Sequence, residues 1–392
     1  VREEQPHRTV FVVADLLSGE NALSVRGQAV ARALGAVGGV TVVCGAHHNT
    51  FFAEGVVVEK MARRLPKNDR SFSKRIIGEL SLGLEMARAV RRQRADHVVI
   101  TTPPFIVTLV VWSSLIASRT PYTLDVRDLY PEVYARAGLL RKEGLPYRAV
   151  FGLVRRMYAG ASVLATVTPE LQSYLASMLP GRIVHLCSNG FSEAIFFPPV
   201  REAAGPIVII SHGNFGELFD LDAFATIARN LAVQTTVDYR IRIIGFGKKL
   251  DALRSLVLPH VEVFGPRANA EIGALLREAH IGLSVHRHYD DEGRAFPVKV
   301  FEFIGSGLPM VVMPRNEGGR AVVDRGFGFT FEKDEVDEAT SALKRLVEDG
   351  DERRRMAAVV RQGRTEFSLD AQAARFATYV DGDASKDADN ER

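Results

Sequence analysis

Residues 280–313 read HIGLSVHRHYDDEGRAFPVKVFEFIGSGLPMVVM, two short β-branched runs separated by a polar loop and a helical pattern. HIGLSV (280–285) and PMVVM (309–313) have the composition of buried strands, and Pro297 marks a helix start between them. Strand, helix and strand in that order predict an α/β domain with a parallel sheet. The helix itself poses a question of chemistry. Its neighbours Val298, Val300, Phe301, Phe303 and Ile304 would bury most of its faces, yet it carries Lys299 and Glu302.

The same alternation runs outward in both directions. Toward the N-terminus lie TVFVVADL (9–16), VTVVCG (40–45), HVVIT (97–101), YTLDV (122–126), VLATV (163–167) and RIVHLC (182–187). A Pro-bearing linker near 191–206 interrupts the rhythm, which restarts with IVIIS (207–211), RIRII (240–244), HVEVF (260–264), the opening pair and FGFTF (327–331). The sequence therefore predicts two Rossmann-like domains, 1–195 and 196–380, whose last helical stretch, around 335–379, is placed to pack back on the first domain. The final segment, DGDASKDADNER (381–392), has no apolar residue larger than alanine and is expected to be disordered.

Composition agrees with two globular cores: 392 residues, 46% apolar and 25% charged. Cys44 and Cys187 each end an apolar run, the usual setting of a buried thiol, which suggests reduced cysteines and a cytoplasmic protein. The polar start VREEQPHR lacks the apolar core of a signal peptide, and FIVTLVVWSSLIA (105–117) is too short to span a bilayer, so neither export nor a transmembrane segment is expected.

Net charge is +3, but the first 195 residues carry the positive field and the remainder is net negative. Residues 60–94 hold eleven Lys/Arg against Asp69, Glu79 and Glu85, interleaved with Phe72, Ile76, Ile77, Leu80, Leu82 and Leu84. Such a basic amphipathic stretch suits an anionic membrane surface or acceptor, with Arg70, Lys74 and Arg75 as contacts; a merely solvated helix face has the same pattern. Nothing in the sequence points to nucleic acid.

Three segments bear on a ligand. GFGKKL (245–250) follows a strand and offers Gly245 and Gly247, but the third glycine of a dinucleotide fingerprint is Leu250, which argues against a nicotinamide or flavin cofactor. In SHGNFGELFDLDAF (211–224), His212, Gly213 and Asn214 follow a strand and precede a helix, where small residues let backbone N–H groups approach an anion. A plain strand-to-helix turn explains those glycines equally well. Finally, the helix start at Pro297 and Val298 offers free N–H groups and a dipole to a phosphate, with Lys299 adding a full charge. Glu302, one turn deeper, could accept hydrogen bonds from two ribose hydroxyls, unless the two charges simply form an i, i+3 ion pair.

These segments resemble the nucleotide-sugar-dependent glycosyltransferases of the GT-B fold, specifically glycosyltransferase family 4 and its bacterial polysaccharide and lipid-linked sugar branch. LDVRDLYPE (124–132) looks like that branch's D-x-R-D-L-W-P-[ED] segment, with Tyr130 in place of Trp. VTPELQSYL (167–175), CSNGFSEAIFFPP (187–199), HGNFG, IIGFGKKLDAL and VFGPRANAEIGALLREAHIGL follow in family order over nearly the whole chain. FPVKVFEFIGSGLPMVV (296–312) is similar to the nucleotide-site helix.

The resemblance implies two domains facing across a cleft and retaining transfer of a hexosyl or N-acetylhexosaminyl group to a glycan or lipid-linked acceptor. It implies no metal and no cofactor beyond the nucleoside-diphosphate-sugar substrate. Glu302 would bind the donor ribose; Lys299 and the 296–299 backbone would meet the diphosphate, with Gly213 and Asn214 beside it. Two departures stand out. Arg294 occupies the place of the first acid of the E-x7-E pattern, and the basic residues usual after the HGNFG-type glycine are missing, which leaves Lys248, Arg267 and Arg294 to supplement Lys299. Asp125, Arg127 and Asp128 are assigned to acceptor and sugar positioning or to a structural turn. A soluble small-molecule acceptor, a sugar-nucleotide epimerase and a two-lobed sugar-binding protein are the alternatives.

Overall fold

The computed structural model describes residues 8–18, 22–66, 72–142, 144–200, 204–287, 297–315 and 317–390. The chain divides into two compact units: residues 1–167, 171–188 and 372–392 form one, residues 168–170 and 189–371 the other.

The first unit holds seven parallel strands: β1 (Thr9–Val13), β2 (Val40–Cys44), β3 (Val56–Lys60), β4 (His97–Thr101), β5 (Tyr122–Val126), β6 (Val163–Thr166) and β7 (His185–Leu186). Their order is β3-β2-β1-β4-β5-β6-β7, so the direction of winding reverses between β1 and β4. β1, β4 and β5 are almost wholly buried, which is why they read as continuous apolar runs rather than alternating ones. On one face the helices Phe72–Gln93 and Phe105–Ser118 meet at Gly83, where a Cβ would lie 3.0 Å from Val110. Leu82, Met86 and Val90 of the first helix and Val107 and Val111 of the second are buried in the same core.

The second unit holds six parallel strands: β8 (Ile207–Asn214), β9 (Tyr239–Phe246), β10 (Val261–Phe264), β11 (Ile281–Val285), β12 (Met310–Met313) and β13 (Gly328–Thr330). The order β10-β9-β8-β11-β12-β13 reverses between β8 and β11. Ligands of open α/β sheets bind beyond the carboxyl ends of the strands at such a reversal.

The opening stretch folds as its pattern predicts: β11, the helix Val298–Gly305, then β12, with Leu283 in register with Val311. Two glycines seat that helix. A Cβ on Gly282 of β11 would come within 2.5 Å of the Phe303 ring, and one on Gly305 within 2.5 Å of the Phe191 ring. Gly307, at φ +73°, ends the helix in the left-handed conformation, while Leu308 N–H donates to Phe303 O at 3.0 Å.

Two expectations need correction. His212, Gly213 and Asn214 are the last residues of β8 rather than a loop beyond it, because each pairs with β9. The last helix, Leu369–Asn390, also continues through most of the segment expected to be disordered; alanine, lysine and aspartate there extend an existing helix, even though they could not build a core.

Candidate active site

At the β8/β11 reversal of the second unit, four polar side chains converge. Lys299 and Glu302 come from the helix after β11, His212 from the end of β8, and His286 from the residue following β11. Lys299 and His212 are buried and Glu302 nearly so. The alternative reading, a Lys299–Glu302 ion pair, does not form: neither side chain bonds the other. The ammonium instead sits 5.2 Å from the centroid of the Phe215 ring and finds no carboxylate within ion-pair range among the described residues. His212 Nε2 lies 3.1 Å from Glu302 Oε2. Its imidazole meets the Phe303 ring edge-on, at 5.6 Å and 83°. That 3.1 Å contact is poorly aligned for a hydrogen bond, so Nε2 remains a buried nitrogen without a directed partner among the described residues.

Burial governs the ionisation of this group. It lowers Lys299 to about 8, opposed by the nearby Glu302 charge, and raises Glu302 to about 7, opposed by Lys299. Burial, then Lys299, pushes His212 and His286 down to about 3. Both imidazoles are therefore neutral at pH 7, and the His212–Glu302 contact is not an ion pair. His286 Nδ1 lies 3.1 Å from Ser284 Oγ, which fixes its ring. A cation thus stands among neutral rings at the end of a sheet, a setting completed by an anion.

The backbone around it is open. Pro297 caps the helix without a side-chain hydrogen bond, and the N–H groups of Val298 and Lys299 find no acceptor among the described residues. Gly213, at φ +108°, faces the lysine stem, where a Cβ would lie 3.8 Å from Lys299 Cε. Gly245 and Gly247 have a backbone reason to be small: Cβ atoms there would fall 1.9 Å from Gly213 O and 2.5 Å from the Phe215 carbonyl carbon. Asn214 stands at the same strand end, its Oδ1 close enough to limit Gly216 and Gly247.

The supplementary cations are placed differently. Lys248 is exposed and 3.5 Å from Glu217, and Arg267 is 3.9 Å from Glu271, next to the outermost strand, β10. Arg294 and Arg70 lie outside the described residues. Lys74 and Arg75 are exposed on the helix Phe72–Gln93 beside exposed Ile77, Leu80 and Leu84, but Arg75 is tied to the buried Glu79 at 2.8 Å.

In the first unit, Asp125 is the penultimate residue of β5 and is fully engaged. Arg26 grips both its oxygens, Nη2 to Oδ1 at 2.9 Å and Nε to Oδ2 at 3.1 Å, while Thr101 Oγ1 donates to Oδ2 at 3.0 Å. Arg26 also donates to the carbonyls of Cys187 and Ser188, each at 2.9 Å. Of the two roles read for Asp125, acceptor and sugar positioning or a structural turn, the structure displays the contacts of the second: its carboxylate ties three segments of the unit together. The side chains of Arg127 and Asp128, the next residues along, have no such partners among the described residues. Arg127 Nε and Nη1 are buried without a hydrogen bond, and burial raises Asp128. Sequence reading missed Arg26 and His286. Arg26 is distant in sequence from the carboxylate it holds, and a lone histidine after a strand carries no motif.

Residues 206–349 match the protein-family model described as Glycosyl transferases group 1. The probable glycosyltransferase WbjE of Pseudomonas aeruginosa is 23% identical over 274 residues, 66% of this chain and 67% of that protein. Sucrose-phosphate synthase from Thermosynechococcus elongatus has a similar structure, with TM-score 0.70 and 13% identity over 96% of this chain and 98% of that one. Anabaena HepE, solved in complex with UDP and glucose, gives TM-score 0.65 and 16% identity over 96% of this chain and all of that one. The family match covers β8–β13 and the helix bearing Lys299 and Glu302, and the fold is shared over nearly the full length. The chain has the GT-B fold, and its second unit carries the match to the glycosyl transferases group 1 model.

Proposed function

We propose that the chain transfers a hexosyl or N-acetylhexosaminyl group from a nucleoside-diphosphate sugar to an acceptor hydroxyl, with retention of configuration, in cell-surface polysaccharide or glycolipid assembly. The observation that carries this reading is a buried lysine and a nearly buried glutamate on one helix, unpaired with each other, at the reversal point of the second sheet. The donor diphosphate takes Lys299 Nζ and the N–H groups of Val298 and Lys299, beside Gly213 and Asn214. Glu302, held against His212, accepts the ribose hydroxyls. The UDP and glucose bound to HepE on the same fold support a nucleotide-sugar donor.

As the acceptor hydroxyl attacks the anomeric carbon, negative charge grows on the departing diphosphate. Lys299 and the helix dipole stabilise it, a contribution made most strongly in the transition state. In this reading no metal takes part. Arg127 and Asp128 face the acceptor in the first unit, and the helix Phe72–Gln93 rests on anionic lipid, bringing a lipid-linked acceptor within reach. No described helix is long and apolar enough to cross a membrane.

A thermal-shift screen of nucleotide sugars tests the donor. The right one, at a hundredfold over its Kd, adds about 2.7 kcal/mol of stability. Acceptor-dependent release of the nucleoside diphosphate then establishes transfer. Interconversion of the nucleotide sugar without acceptor would identify an epimerase instead.

A further inference from the structure

Arg127 has a guanidinium without protein partners among the described residues, and its surroundings show why. Asp125 is the carboxylate two residues back, on β5, but both its oxygens belong to Arg26 and Thr101. Asp128 is close enough to exert a Coulombic pull on Arg127, yet no ion pair closes between them. Nε and Nη1 are consequently buried with no hydrogen bond. Burial, followed by the charge of Arg26, lowers Arg127 to about 10, so the group stays cationic at pH 7. Arg127 as a whole is half-buried, but donors such as Nε and Nη1 that are sheltered from water and left unpaired are unfavourable unless a ligand completes them.

The backbone holds this cation in place. Arg127 N–H donates to Thr102 Oγ1 at 3.0 Å, and Thr102 N–H donates to Asp125 O at 3.0 Å, locking the ends of β4 and β5 together. β4 borders β1 at the reversal in the first sheet and β5 is the next strand out, so Arg127 lies at the carboxyl end of the sheet near the reversal where such sheets receive ligands. The planar guanidinium suits a phosphate oxyanion better than a neutral hydroxyl, because charge-assisted bonds can satisfy several N–H groups at once.

We infer that Arg127 is the anion-binding group of the acceptor site and takes a phosphate or diphosphate oxyanion carried by the sugar acceptor. The inference rests on the proposed placement of the acceptor in the first unit. Arg26 and Asp125 act as positioning residues that keep the strand end fixed and deny Arg127 an internal partner.

The test is calorimetric titration of the full chain with inorganic pyrophosphate, in the presence of saturating UDP to fill the donor site. Pyrophosphate is expected to bind one site under these conditions, at least tenfold more weakly in Arg127→Gln. Complete displacement of pyrophosphate by UDP would mean that the anion belongs to the leaving nucleotide and would overturn the acceptor assignment. Equal binding by wild type and Arg127→Gln would overturn it as well. If UDP does not bind, the nucleoside diphosphate found by the donor screen takes its place; if none binds, the donor reading fails while the comparison of wild type with Arg127→Gln still decides this one. Arg127→Met adds a readout that a structural role would reverse: its Tm should equal or exceed the wild-type value, since an unpaired buried cation is removed. A Tm several degrees lower, with pyrophosphate binding intact, would show that Arg127 serves the fold instead.

Discussion

Lys299 and Glu302 lie on one helix, and burial drives their ionisations toward each other, the amine down to about 8 and the carboxyl up to about 7. A protonated Glu302 loses its role as a double acceptor, and a neutral Lys299 no longer offsets phosphate charge. Donor kcat/KM is therefore expected to be greatest between pH 7 and 8 and to fall about tenfold per unit on either side. Glu302→Gln should lower kcat/KM, raise donor KM and abolish the acidic limb. Lys299→Ala should cost more, roughly ten- to a hundredfold, because a charge-assisted contact is worth about 1.5–3 kcal/mol. Stability follows from the same shifts. Between pH 4.5 and 7 the folded protein keeps a proton on Glu302 that the unfolded chain has released, so stability falls as pH rises. Between 8 and 10.5 the unfolded chain keeps a proton on lysine that the folded protein has lost, so stability rises with pH. The ligand-free site is thus least favourable where the donor binds best, a cost that the nucleotide relieves. Melting curves of wild type and Glu302→Gln should diverge from pH 4.5 to 7; parallel curves would refute the buried carboxyl.

At the scale of elements, the site depends on how one helix is seated. Phe303 lies against Gly282, and a methyl group there would have to displace an aromatic ring already packed in the core. Gly282→Ala should cost about 1–3 kcal/mol as an overpacked site and, by tilting the helix, should raise donor KM although residue 282 touches no ligand. An unchanged KM with a lowered Tm would separate helix seating from donor binding. The helix Phe72–Gln93 calls for a different variant from the one its sequence suggests. Replacing Arg75 would strand the buried Glu79, so Lys74→Ser with Ile77→Ser and Leu84→Ser tests the surface without breaking a pair. These changes should weaken flotation with anionic liposomes at low salt, and no flotation by the wild type would sink the membrane proposal. Sequence reading located every strand whose run was continuous and apolar, because burial on both faces writes that pattern. It missed β3, where GVVVEK lies at the sheet edge with no residue fully buried, so neither an apolar run nor clean alternation marks it. It placed Lys299 and Glu302 together from spacing alone, but the Arg26–Asp125 pair is separated by 99 residues and is set only by the tertiary fold.

At the scale of the whole molecule, each unit has its own sheet and its own core, yet the chain contributes to the first unit from both ends. No local pattern announces this, since the last helix begins in one unit at Leu369 and belongs to the other from Gln372 onward. Within the first unit, Gln372 Oε1 accepts from Ser188 N–H at 2.9 Å, and the Tyr379 ring stacks on His185 at 4.0 Å. Ala373, Phe376, Ala377 and Val380 are buried along the same helix. Losing Phe376 alone would cost about 3–5 kcal/mol, and the whole stripe approaches the roughly 5–15 kcal/mol that typically holds a domain together. Lys299, Glu302, His212 and Gly213 all lie within 189–371 and need none of these contacts. A chain ending at Ala371 should therefore lose the ordered melting of the first unit while its second unit still gains about 2.7 kcal/mol from a nucleoside diphosphate at a hundredfold over its Kd. Calorimetry with and without nucleotide reads both transitions. Loss of nucleotide stabilisation on truncation would mean that the donor site draws on the first unit, and the assignment of donor binding to the second unit alone would fall.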